Sequence, residues 1–213
     1  MSPRVLTALY LAVLILCLAC TADAVEDLTF LQLSDVHYPH AAAQSRLTTA
    51  ALPTGELDLA PFGLRVPAPS FAVVTGDVNE FGGGNGDWEG YLSMFGALPF
   101  PVYHIPGNHD NTWDCMRPRI RKLQGSVFFS LEKGGVKLIG WDTASPQDPR
   151  PSIALEGLLW LSDELSRTPP QQPIILFCHH PIEGKEFAGR YDQSRLLDLL
   201  STRNVALLLV GHG

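Results

Sequence analysis

Asp35-Val36-His37, Gly76-Asp77-Val78-Asn79, Gly107-Asn108-His109-Asp110, His179-His180-Pro181 and Gly211-His212-Gly213 follow one another along this chain, and each offers side chains that can ligate a metal. All but the last follow a β-branched or aromatic apolar stretch and are closed by a turn former. That pattern puts Asp, Asn and His on loops at one edge of a sheet. Side chains at the carboxyl ends of βα units converge there on a shared crevice. Nitrogen and oxygen ligands with almost no sulfur suit two divalent transition metals.

Asp35 and His37 are two residues apart, so an extended segment points both the same way and one metal can take both. Asp77 has two carboxylate oxygens and can bridge two cations, and Gly76 lets the backbone turn sharply before it. The plain alternative for Asp77 is a carboxylate capping a turn. Asn108 offers a neutral carbonyl oxygen. His109 beside it would face a substrate rather than a metal, where an imidazole can donate a proton or hydrogen bond to a phosphate oxygen. Of His179 and His180, one is expected to be a ligand and the other to point away. His212 is the last candidate. His104 lies within an expected strand and reads as a packed or hydrogen-bonded core residue, and His40 as a loop residue.

The positioning elements follow from periodicity. Strands are expected at 28–33, 71–75, 101–105, 174–178 and 205–210, and helices at 88–98, 155–166 and 193–201. Segments 127–132 and 136–141 flank Lys133-Gly134-Gly135, a hairpin signature. The stretch 39–69 is a long Ala/Thr/Pro-rich connection with a short helix around 41–51, near the mouth of the site. The Gly-rich stretch 81–87 reads as a loop, without the spacing of a phosphate-binding P-loop. Strands alternating with helices give an α/β class, and the hairpin makes the sheet mixed.

At 213 residues with 46% hydrophobic and 17% charged residues, the chain fits one folded domain and not a disordered segment. Its net charge of −7 and the lack of a Lys/Arg run exclude the footprint of a protein that binds nucleic-acid duplexes. An acidic protein acting on phosphates needs positive charge from elsewhere, and bound metal ions supply it.

Residues 1–24 read as a signal peptide: Arg4, an apolar run over 6–19, and Ala22-Asp23-Ala24 as the cleavage site. The run is short for a membrane span. The expected product is a domain over 25–213, secreted or periplasmic, with no transmembrane span. Leu18-Ala19-Cys20 also approaches a lipoprotein signal, with Cys17 where Leu is expected, so lipid anchoring through Cys20 stays open. Export leaves Cys115 and Cys178, which an oxidising compartment could pair. Burial as a small hydrophobe is the preferred reading of Cys178.

Taken together, the ordered motifs from Asp35 to His212 resemble the calcineurin-like metallophosphoesterases over residues 28–213. The resemblance implies a four-layer α/β/β/α sandwich with mixed sheets, and two divalent ions (Mn, Fe, Zn, Co or Ni) at the strand ends. It implies that Asp35 and His37 hold the first ion, that Asp77 bridges, and that Asn108, His179 and His212 hold the second. His179 is chosen over His180 because the family's ligand stands two residues before the Pro. His109 would be the catalytic acid or transition-state stabiliser. The implied activity is that of an exported phosphoesterase acting on phosphate mono- or diesters through a hydroxide activated by two metals about 3.5–4 Å apart. The alternative is a catalytically inactive binding domain or a non-functional fragment.

The chain departs from the family in two places. The family motif continues as Gly-His-x-His, whereas here Gly213 is the last residue, so the expectation is a domain incomplete at its C-terminus with the first site short of a ligand. The purple acid phosphatase branch has Tyr three residues after the bridging Asp, and Glu80 stands there instead, which argues against an Fe–tyrosinate site. A carboxylate at this spacing hydrogen-bonds the catalytic His in some branches, so Glu80 is expected to face His109.

Overall fold

The computed structural model describes residues 26–40, 46, 48–80, 84–111, 116–145, 148–183, 187 and 189–212. The expected signal peptide and Cys115 lie outside the described residues. Strands β1 (Leu31–Leu33), β4 (Ala72–Thr75) and β5 (Val102–Ile105) form a parallel sheet in the order β1-β4-β5. A mixed sheet runs in the order β11-β10-β7-β6, from β6 (Phe129–Lys133), β7 (Val136–Gly140), β10 (Ile174–Phe177) and β11 (Val205–Leu209). In it β7, β10 and β11 are parallel and β6 is antiparallel to β7. The β6–β7 turn is Gly134-Gly135, both with positive φ (56° and 75°), as the favoured two-residue hairpin turn requires.

Alternation along the strands builds the core. Val73 and Val74 of β4 are both fully buried but belong to different apolar clusters, as do Leu138 and Ile139 of β7. Side chains on a strand point alternately to its two faces. One cluster draws on both sheets through Phe71, Val73, Ile105, Phe129, Leu138 and Phe177. A second joins Val74 and Val78 to Tyr91, Met94 and Phe95 of helix α1 (Asn85–Phe95). In the third, Ile139, Ile174 and Leu176 meet Ile120 of α2 (Arg117–Gln124), Leu161 and Leu165 of α3 (Leu155–Arg167), and Leu196 of α4 (Arg190–Leu200).

Several expectations shift for identifiable reasons. Helix α1 starts at Asn85, not 88, because the Asp87 carboxylate accepts the Gly84 N–H at 2.9 Å. It ends at Phe95 with Gly96 as its C-cap, and Leu98, which precedes Pro99, lies outside it, since the residue before a proline avoids helical backbone. Residues 85–87 of the expected Gly-rich loop are therefore helical, and 81–83 lie outside the described residues. Helix α2 was not expected, because its only fully buried apolar residue is Ile120. Its boundaries are set by proline in the first turn and by Gly125 in left-handed conformation at the end.

Within the connection 39–69, β2 (Leu57–Leu59) and β3 (Leu64–Val66) form an exposed hairpin that has no buried face to read. Of the helix expected at 41–51, residues 46 and 48–50 are helical and 41–45 and 47 lie outside the described residues. A short hairpin, β8 (Ala144–Ser145) with β9 (Asp148–Pro151), follows β7.

His104 is buried as expected, with Tyr91 Oη 2.9 Å from its Nδ1, and burial lowers the imidazole to about 4. Cys178 is a buried free thiol that burial pushes up to about 12. Among the described residues no helix is long and apolar enough to cross a membrane. Leu138 is fully buried in the cluster that draws on both sheets, so Leu138→Ala is expected to lower the unfolding free energy by about 2–5 kcal/mol. Urea unfolding followed by circular dichroism checks this, with the urea dependence unchanged.

Candidate metal centre

The motifs come together because five strands end at one edge. Beyond β1 and β4 the chain continues side by side: Asp35 N–H donates to Gly76 O at 3.1 Å, His37 N–H to Asp77 O at 2.9 Å, and Tyr38 N–H to Val78 O at 3.1 Å. Beyond β10 and β11, Gly211 N–H donates to His179 O at 2.9 Å. Polar bonds then tie one sheet to the other. Gln32 Nε2 donates to Val210 O at 2.8 Å, His179 Nδ1 to Thr75 O at 2.7 Å, and His212 N–H to Asp35 Oδ2 at 3.1 Å.

Among the described residues four non-glycines have positive φ: Asp35 (56°), His37 (47°), Asp77 (50°) and His212 (63°). All four are residues the motifs nominated. A non-glycine in this region costs about 1–3 kcal/mol, and such strain concentrates at functional sites.

Asp77 lies at the centre. Its Oδ1 accepts the His109 N–H at 3.0 Å. Its Oδ2 is 3.3 Å from His179 Nε2 and 3.9 Å from both His37 Nε2 and His109 Nε2. Burial works to raise this carboxyl, but the bond to His179, the charge of that ring and the His109 N–H outweigh it and hold Asp77 below its usual value. The approach is possible because two neighbours lack a Cβ. At Gly76 (φ 93°) a Cβ would strike the His179 ring, and at Gly107 it would strike the Asp77 carboxylate.

His179 is fully buried and its ring orientation is set from behind. Thr75 O can only accept, so Nδ1 carries the proton, and Nε2 faces Asn108 Oδ1 at 3.0 Å and Asp77 Oδ2 at 3.3 Å. Burial works to lower this imidazole, yet the Asp77 carboxylate outweighs it and the net direction is up. A ring nitrogen, an amide oxygen and a carboxylate oxygen thus gather around one point. Such a set of electron-pair donors fits a divalent cation.

Among the described residues three groups of side chains could hold an ion, with ligand atoms within 4.8 Å of one another: Asp35, His37 and Asp77; His179, His180 and His212; and His37, Glu80 and His109. All the nominated residues, Asp35, His37, Asp77, Asn108, His109, His179 and His212, are in or beside this centre. His109 packs edge-on against His37, with ring centroids 4.7 Å apart.

Glu80 faces His109 Nδ1 at 3.4 Å, but its closer partner is His37 Nδ1 at 2.6 Å, a pairing not read from the sequence. His180 is not turned away from the centre. It is fully buried, with its ring centroid 4.7 Å from that of His212. Asp110 also had no role in the sequence reading. Its buried carboxylate accepts the N–H groups of Gly107 (2.7 Å), Asn79 (2.9 Å) and Val78 (3.2 Å), bracketing the Asp77 loop to the Asn108 loop. Burial and the nearby Asp77 charge push Asp110 up to about 7 against these three donors. Its place inside the Gly107–Asp110 motif was the only signal.

A family model for the calcineurin-like phosphoesterases matches residues 28–213. The chain belongs to the calcineurin-like phosphoesterase family. Among curated members it is 29% identical over 157 residues to a probable glycerophosphodiester phosphodiesterase of Arcobacter nitrofigilis, covering 68% of this chain and 57% of the relative. It is 25% identical to a probable cyclic nucleotide phosphodiesterase of Fibrobacter succinogenes, covering 66% and 56%. It is 26% identical to a glycerophosphodiester phosphodiesterase of Enterobacter lignolyticus, covering 56% and 44%. The chain thus spans about half the length of the curated relatives it matches.

Two solved structures share the metallophosphoesterase α/β fold. A dimetal phosphatase from Danio rerio has a TM-score of 0.58 at 13% identity, covering 86% of this chain and 80% of that one. A phosphopantetheinyl hydrolase from Mycobacterium tuberculosis has a TM-score of 0.52 at 16% identity, covering 89% and 84%.

Removing the Asp110 carboxylate strands three buried N–H donors, each costing about 1–3 kcal/mol. Asp110→Ala is therefore expected to destabilise the chain by at least about 3 kcal/mol. Calorimetry on metal-free protein checks it.

Proposed function

We propose that this chain is the metal-holding core of a phosphoesterase that hydrolyses phosphate mono- or diesters with two divalent ions. The observation that carries it is Asp77, whose Oδ2 lies 3.9 Å from His37 Nε2 and 3.3 Å from His179 Nε2, itself 3.0 Å from Asn108 Oδ1. Asp35, His37 and Asp77 would hold one ion, and Asp77, Asn108, His179 and His212 would hold the second. Two bound divalent ions supply a nucleophile at neutral pH and charge against the phosphoryl oxygens.

The chain's own residues do the rest. His109 is held by its backbone bond to Asp77 and by Glu80, and it presents its ring beside His37. From there it donates a proton to the leaving oxygen or a hydrogen bond to the developing charge. The names of the curated relatives make phosphodiesters the first substrate class to assay. The three apolar clusters fit the interfaces of a four-layer α/β/β/α sandwich. Residues 1–24 act as an export signal ahead of a domain over 25–213.

The test separates metal holding from proton transfer. Asp77→Ala is expected to lose both ions and the hydrolysis of aryl phosphodiesters together. His109→Ala is expected to keep both ions while the rate falls about 10²–10⁴-fold. Metal analysis beside a rate assay reads both. Two ions retained in Asp77→Ala would end the bridging assignment, and metal lost from His109→Ala would make His109 a ligand.

A further inference from the structure

We infer that His180 is a further metal-binding residue, and that with His179 and His212 it forms an imidazole-rich site that takes the first Zn²⁺ ion offered to the chain. The inference rests on the dinuclear reading above and goes beyond it, since that reading leaves His180 without a role. The three rings lie together: centroids are 4.7 Å apart for His179 and His180, 4.7 Å for His180 and His212, and 5.2 Å for His179 and His212. Each offers a ring nitrogen within 4.8 Å of the others.

His180 is built in from behind, as a ligating imidazole is. Thr143 Oγ1 lies 2.9 Å from its Nδ1 and also accepts its backbone N–H at 3.1 Å. A hydroxyl oxygen has two acceptor sites and can take both protons, so coordination would use Nε2. An imidazole oriented through its second nitrogen is the usual arrangement at a metal. Thr143 is itself fixed by its neighbour. The buried Asp142 pairs with Arg117 and accepts the Ala144 N–H at 2.8 Å, while Arg117 donates to Ala144 O at 3.3 Å. On the other side Cys178 Sγ donates to His180 O at 3.3 Å.

The donor sets at the two ends of the centre then differ. Beside the shared Asp77, Asp35 and His37 contribute one carboxylate and one imidazole, whereas this end has three imidazoles and the Asn108 amide oxygen. Carboxylates suit Mn²⁺ and Mg²⁺, and imidazoles suit Zn²⁺.

Metal-free full-length protein, labelled with ¹⁵N in its histidine rings, is titrated with Zn²⁺. The first equivalent is expected to shift the ring nitrogens of His179, His180 and His212 before those of His37. In Co²⁺-loaded protein, His180→Ala is expected to change the visible bands. It should also weaken Zn²⁺ binding by more than the about 10–100-fold typical of losing an outer-shell partner. Thr143→Val removes only orientation, so it should keep the Co²⁺ bands.

The labelled wild-type protein needs no substitution and stands if His180→Ala does not fold. A His180 Nε2 resonance unmoved by Zn²⁺, a first equivalent that goes to His37, or unchanged Co²⁺ bands in His180→Ala overturns the inference. Two ions still bound in those samples leave the dinuclear reading standing. Wild-type protein that binds no ion overturns both.

Discussion

The Asp77 carboxylate accepts the backbone N–H of His109 with one oxygen and faces His179, His37 and His109 with the other. Three chain segments far apart in sequence are located by this one group. It can serve them only because its own backbone is left-handed and because Gly76 and Gly107 clear the space around it. The negative charge is kept in a nearly buried position by the ring of His179. A carboxylate so placed among imidazoles is part of a donor set that suits divalent cations.

Holding that group requires the two sheets to be registered at their strand ends, where apolar packing alone is not directional. Hydrogen bonds provide the direction. Gln32 spans from β1 to Val210, and the Thr75 carbonyl collects both Ser34 Oγ and His179 Nδ1. Each such bond contributes about 0.5–1.5 kcal/mol net, but a missing partner would leave a buried polar atom at larger cost. The register is therefore specified by penalties as much as by attraction.

The centre concentrates unfavourable features that the core offsets. Four strained non-glycine residues and three buried carboxylates, Asp77, Asp110 and Asp142, lie at one edge of the sheets. The apolar clusters behind them include fully buried Phe71, Phe177, Trp141 and Leu161. Burying such side chains stabilises by about 1.5–3 kcal/mol each. The rigid strands keep the loop ends in conformations they would not hold alone.

The order of the motifs and the residue types at 35, 37, 77, 108, 109, 179 and 212 could be read from the chain because each motif is local and follows an apolar strand. Strands β4 and β10 were legible because Val73, Val74, Leu176 and Phe177 are fully buried, which makes the runs apolar but for Thr75 at the end of β4. The β6–β7 turn was legible because two adjacent glycines admit positive φ. Family membership follows from the same local patterns.

What could not be read depends on contacts distant in sequence or on elements with little buried surface. Helix α2 has too few buried residues to show a stripe, and the β2–β3 hairpin has no buried face. That Glu80 lies closer to His37 than to His109, and that His180 lies among the rings of His179 and His212, are decided by how loops from different strands pack. Gln32 and Val210 meet across a separation of 178 residues. The sequence by itself determined which side chains stand at the strand ends. Only the tertiary structure decided which of them face one another, because the direction of a side chain at a strand end is set by the neighbouring strand and not by its own segment.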